Sequence, residues 1–82
     1  MNTQIQQIKL TSRQEEVLRL MALGKTNSEI AQELYITIHT VKAHICSIYA
    51  LLKTSSRVQT VVVALQYGLI NLEELNTQPI NN

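Results

Sequence analysis

Thr26-Asn27-Ser28-Glu29-Ile30-Ala31-Gln32-Glu33-Leu34, Tyr35-Ile36-Thr37 and Ile38-His39-Thr40-Val41-Lys42-Ala43-His44-Ile45 are the three consecutive pieces that decide the fold. They read as two helices joined by a very short turn. Ile30, Ala31 and Leu34 share one face of the first helix, at the spacing of a 3.6-residue repeat. Val41, Ile45, Ile48 and Leu52 continue an apolar face along the second, at steps of four, three and four. Thr26 and Glu29 form a T-x-x-E capping box that opens the first helix, and Thr37 is placed to cap the second. Two helices, a three-residue turn and an outward polar face have the shape of a helix-turn-helix.

The flanking sequence supports that pair. Upstream, Thr11 with Gln14 is a second capping box, and Val17, Leu18 and Met21 lie on one face with Glu15, Glu16 and Arg19 outward. Gly24 supplies the left-handed residue that ends many helices. Downstream, Ser56 with Gln59 opens a further helix that closes before Gly68. Helices are therefore expected at about 12–23, 27–34, 38–52 and 57–67. The last has two apolar stripes: Val61, Ala64 and Leu65 toward the core, and Val58, Val62 and Leu69 beside them. An apolar surface that wide on a terminal helix points to burial beyond its own domain. Residues 1–9 read as an N-terminal arm and 71–82, which lose periodicity, as a frayed tail.

Composition sets the limits. Eighty-two residues make one small domain, and 45% hydrophobic residues suit a folded chain. One Pro and two Gly leave little turn chemistry for a sheet, so the expected class is all-α. The single Cys46 excludes an internal disulfide and a Cys-rich zinc site. No apolar run suits a signal peptide or a membrane span, so a cytoplasmic chain with no membrane partner is expected. A net charge of +1 is low for a nucleic-acid binder.

Catalysis finds no support. Glu15-Glu16 and Glu73-Glu74 are adjacent pairs pointing apart, and His39 and His44 are five residues apart, off the i,i+4 face that two metal ligands on one helix prefer. No enzyme, metal or cofactor is expected.

Taken together, Leu10-Thr11, Glu16-Val17-Leu18, Gly24, Thr26-Asn27-Ser28-Glu29-Ile30-Ala31, Leu34, Ile36, His39-Thr40-Val41-Lys42, His44, Ile48, Leu52, Ser56-Arg57, Val61 and Gly68-Leu69-Ile70 resemble the LuxR/GerE family of helix-turn-helix DNA-binding domains. The resemblance covers residues 10–70 without a gap. With nine residues ahead of it, the chain resembles the stand-alone members of the family; an excised C-terminal domain is the other expectation.

The resemblance implies a four-helix domain whose third helix lies in the major groove of double-stranded DNA. It also implies a homodimer through helix four, with Val58, Val62, Leu65 and Leu69 as the contact, reading a two-fold-related site in the nucleoid. RNA polymerase is a further partner it allows. Lys42 matches a frequent DNA contact and suits phosphate or guanine. Thr40 and His44 match positions near the DNA backbone, Ala43 suits a thymine methyl, and His39 and Cys46 share the outward face, with Tyr49 and Ala50 one turn on. Thr26 and Asn27 sit at the N-terminus of helix two, which favours a phosphate.

Some positions depart from the family pattern. Cys46, Ala50 and Leu51 stand where basic residues are frequent, and Lys53 where Gly is usual. Fewer charges on the reading helix should weaken binding and flatten its salt dependence, unless Lys9 and Arg13 help. Cys46, one turn beyond Lys42, is also a redox candidate: oxidation would set a negative group or a disulfide where phosphate must approach. Two readings of function therefore stand, a dimeric DNA-binding transcription regulator and an interaction module that sequesters a relative through helix four. A sigma-factor helix-turn-helix shares the architecture, but the Ser56-Arg57 block and the apolar fourth helix argue against it.

Overall fold

A computed structural model describes residues 8–71 and 73. Four helices follow one another, with no strand among the described residues: α1 (Ser12–Ala22), α2 (Asn27–Leu34), α3 (Ile38–Leu52) and α4 (Arg57–Gln66). The all-α expectation is met. Helices one and four each close one residue before the expected end, because Leu23 and Tyr67 serve as C-caps. The arm and tail readings for 1–7, 72 and 74–82 lie outside the described residues. Of the residues read as the arm, Ile8 packs against the core.

Local chemistry explains the helix starts. Thr11 N–H donates to Gln14 Oε1 at 2.9 Å, and Gln14 N–H to Thr11 Oγ1 at 3.1 Å. Thr26 and Glu29 repeat the exchange at 2.8 and 3.1 Å. Thr37 Oγ1 accepts from Thr40 N–H at 3.0 Å. Each box satisfies N–H groups that the helix itself leaves without partners. Ser56 differs from the expected box. Its Oγ accepts from Gln59 N–H, but Gln59 Oε1 takes the N–H of Ser55 instead of that of Ser56.

The helix ends are tighter than the sequence suggested. Gly24 and Gly68 have φ of 85° and 73°, as their position after a helix requires. Tyr35 and Lys53 adopt the same left-handed region at 59° and 58°, although a Cβ there costs about 1–2 kcal/mol. Tyr35 is what makes the α2–α3 turn so short. Its left-handed backbone reverses the chain within Tyr35-Ile36-Thr37, and Ile36 N–H then reaches Ala31 O at 3.0 Å.

One core joins all four helices. Val17, Leu18, Leu20 and Met21 of α1, Ile30 and Ala31 of α2, Val41, Ile45, Ile48 and Leu52 of α3, and Ala64 of α4 are buried together with Ile70. Leu20 is an addition to the face read from sequence, since α1 lies between α2, α3 and α4 and is covered on more than one side.

Helix α4 reads differently from expectation. Its fully buried positions are Thr60 and Ala64, while Val61 and Leu65 are only half-buried. Thr60 Oγ1 donates to Ser56 O at 2.7 Å and lies 2.6 Å from Thr54 Oγ1, so Thr54 must be the donor of that second bond. A buried hydroxyl is tolerated there because both of its roles are filled.

Candidate nucleic-acid interface

The four buried residues of α3 fix which side of it faces out. With Val41, Ile45, Ile48 and Leu52 inward, the 100° step leaves His39, Lys42, Ala43, Cys46, Ser47 and Ala50 exposed on the opposite arc. Cys46 is a free, exposed thiol. Thr40 and His44 lie on one flank and are half-buried, while Tyr49, expected on the outward face, is half-buried on the other flank and leans on the core, because it stands one position beyond the buried Ile48. Thr40 is further occupied: its N–H and hydroxyl oxygen both face Thr37 Oγ1. The outward arc therefore carries one permanent charge, Lys42, among short side chains. Ser47 was missed from the sequence, although its position 100° beyond Cys46 already placed it on this arc.

The N-terminus of α2 is the second candidate element, and here the structure separates residues that sequence treated alike. Thr26 is occupied by capping, with its N–H on the Glu29 carboxylate. That bond holds the Glu29 carboxyl below the ordinary glutamate range; the Thr26 hydroxyl and the Lys25 charge act the same way, and desolvation opposes them. A phosphate cannot take the Thr26 N–H while Glu29 holds it. Asn27 accepts at Oδ1 from Arg57 Nη1 at 3.1 Å, and Arg57 Nη2 donates to Lys25 O at 2.5 Å. Arg57 thus joins the start of α4 to the start of α2. Nothing in the local pattern signals this, because the partners are 30 and 32 residues away.

The remaining candidates divide. Arg13 is paired with Glu16 at 3.1 Å, which offsets the charge it would bring to DNA, whereas Lys9 is exposed. Of the four residues assigned to a dimer contact, Val58 (76% exposed) and Val62 (47%) stand out from the surface. Leu65 and Leu69 are half-buried against the domain's own core. Among the described residues, no His, Cys, Asp and Glu side chains gather in a group that could hold a metal. No helix among the described residues is long and apolar enough to cross a membrane.

Known proteins fit this geometry. The family described as bacterial regulatory proteins, luxR family, matches residues 9–64. Over 62 residues the chain is 52% identical to the transcriptional regulatory protein LiaR of Bacillus subtilis (strain 168), a match covering 76% of this chain and 29% of that protein. The response regulator protein VraR of Staphylococcus aureus (strain Mu3) is 46% identical over 61 residues, covering 74% and 29%. The chain thus spans less than a third of the length of these curated relatives. Among solved structures, the Vibrio cholerae VqmA dimer, described in the absence of its target DNA and in the context of LuxR-type receptors, superposes with a TM-score of 0.73. That match has 32% identity and covers 88% of this chain and 34% of the other.

Proposed function

The chain belongs to the luxR family of bacterial regulatory proteins, a family of transcription regulators and not of enzymes, and from that premise we propose that it is a sequence-specific DNA-binding regulator. It acts in the cytoplasm, on the nucleoid, as a homodimer on a two-fold-related site, with α3 in the major groove. The observation that carries the reading is the division of α3 into two faces. One is wholly buried and fixes the helix; the other is fully open around Lys42. Such a helix can enter a groove about 12 Å wide without disturbing the core. Exposed Val58 and Val62 support a contact between two copies through α4.

Binding-site selection from random duplex DNA, with reduced protein, tests this. Enrichment of two half-sites about one helical turn, roughly 34 Å, apart is the expected result. Salt-sensitive background alone would overturn it and leave the interaction module, for which the low net charge and the open valines of α4 already speak. On the selected site, Lys42→Ala should cost about 1–3 kcal/mol of affinity if it reads guanine. If it meets a phosphate, the salt slope should instead fall by about one. Neither outcome should move the melting midpoint. Oxidation of the exposed Cys46 should release DNA, and a Cys46→Ser protein whose DNA binding responds to oxidant as before would dismiss the redox element.

A further inference from the structure

Arg57 makes the longest-range side-chain hydrogen bonds among the described residues, to Lys25 O and Asn27 Oδ1. Arginine offers donors only. The Asn27 atom facing it must therefore be the oxygen, and the amide cannot flip without setting NH2 against guanidinium. Its Nδ2 group is left as a pure donor with no acceptor among the described residues. The Asn27 and Ser28 backbone N–H groups, first in α2, likewise have no acceptor there. The α1–α2 connection holds this end of α2 still, since Gly24 N–H bonds to Met21 O and Lys25 N–H to Leu20 O.

We propose that Arg57 is a positioning residue for DNA binding. By holding Asn27 Oδ1 it fixes the Asn27 Nδ2 amide as a donor to a backbone phosphate, beside the guanidinium's own charge. This rests on the DNA-binding reading above and adds a residue to it. Arg57 sits at the first position of α4, so the helix proposed to face a second copy and the helix end proposed to meet DNA share one side chain.

The test uses the full chain and its selected duplex, with single phosphates replaced in turn by neutral methylphosphonate. The wild type should lose about tenfold at one phosphate per half-site, the size of a charge-assisted hydrogen bond. In Asn27→Asp, which still gives Arg57 an acceptor, binding to the natural duplex should weaken with the melting midpoint kept, and that loss should vanish. Arg57→Lys, which cannot fork to both oxygens, should abolish the same loss, and Arg57→Gln is the second variant if the lysine form does not fold. Identical phosphate patterns in the wild type and all variants, with Lys42→Ala still weakening binding, would overturn the role of Arg57 while leaving DNA binding intact. Unfolding of both Arg57 variants would assign the residue to folding and also overturn it. Failure of the wild type to enrich any duplex removes the DNA reading itself, and the proposal with it.

Discussion

Helices α3 and α4 are both rich in apolar residues, yet they bury them in opposite fashion. In α3 every aliphatic residue on the Val41, Ile45, Ile48, Leu52 line is inside. In α4 the residues wholly inside are Thr60 and Ala64, one polar and one small, while Val58 and Val62 face out. The difference is one of neighbours. Helix α3 crosses the middle of the domain, against α1, α2 and α4, so its large side chains have somewhere to go. Helix α4 packs from the edge against α1 and α3, and small residues at its contact let it approach them. The periodic apolar line thus marks the core in α3, whereas in α4 part of the apolar surface, at Val58 and Val62, stays open.

The sharpest way to break that contrast is to hollow out α3. Ile48→Ala removes a fully buried side chain at the centre of the core, and should cost about 2–5 kcal/mol in denaturant unfolding. A cost under 1 kcal/mol would mean that the α3 line is less essential than its burial implies. The matching change in α4 should behave in reverse. Val62→Glu should leave folding within about 0.5 kcal/mol and abolish self-association in sedimentation, because a charge would enter a desolvated contact. If the variant stays as associated as the wild type, the open valines are not the dimer face.

Smaller effects sharpen the comparison. Thr60→Val keeps the shape of the buried side chain but removes its bonds with Ser56 O and Thr54 Oγ1, and should destabilise by about 1 kcal/mol. A stabilised variant would show that the hydroxyl pair is dispensable. The smallest effect belongs to α2. The Glu29 carboxyl is held low in the folded chain by Thr26, so its contribution is present above the ordinary glutamate range and disappears as pH falls through the depressed value. Melting midpoints taken from neutral pH down into the acid range should therefore drop less in Glu29→Gln than in the wild type. Glutamine keeps the capping geometry without the charge, and identical acid limbs would refute the assignment.

What could be read in advance followed the range of the interaction. The capping boxes at Thr11 and Thr26 and the cap at Thr37 involve residues three apart, and they formed as their spacing implies. The box at Ser56 failed on a competition one residue wide, where Ser55 N–H took Gln59. The centre of the outward face of α3, at Lys42, Ala43 and Cys46, was legible because the inward face is strictly periodic, but its edges were not: Ser47 was missed and Tyr49 leans on the core. The N-terminus of α2 was not, since Thr26 and Asn27 look equivalent until their partners are known.

By itself, the sequence determined four helices, their starts, the left-handed exits at Gly24 and Gly68, and the side of α3 that must point inward. All of these depend on residues within about one turn of each other, where backbone geometry leaves few choices. Tertiary structure alone decided that Arg57 holds Lys25 and Asn27, that Thr60 lies at the α4 contact, and that Leu65 and Leu69 lean on the core while Val58 and Val62 do not. Those outcomes depend on which helix stands beside which, and that is settled only when a shared core fixes the helices against one another.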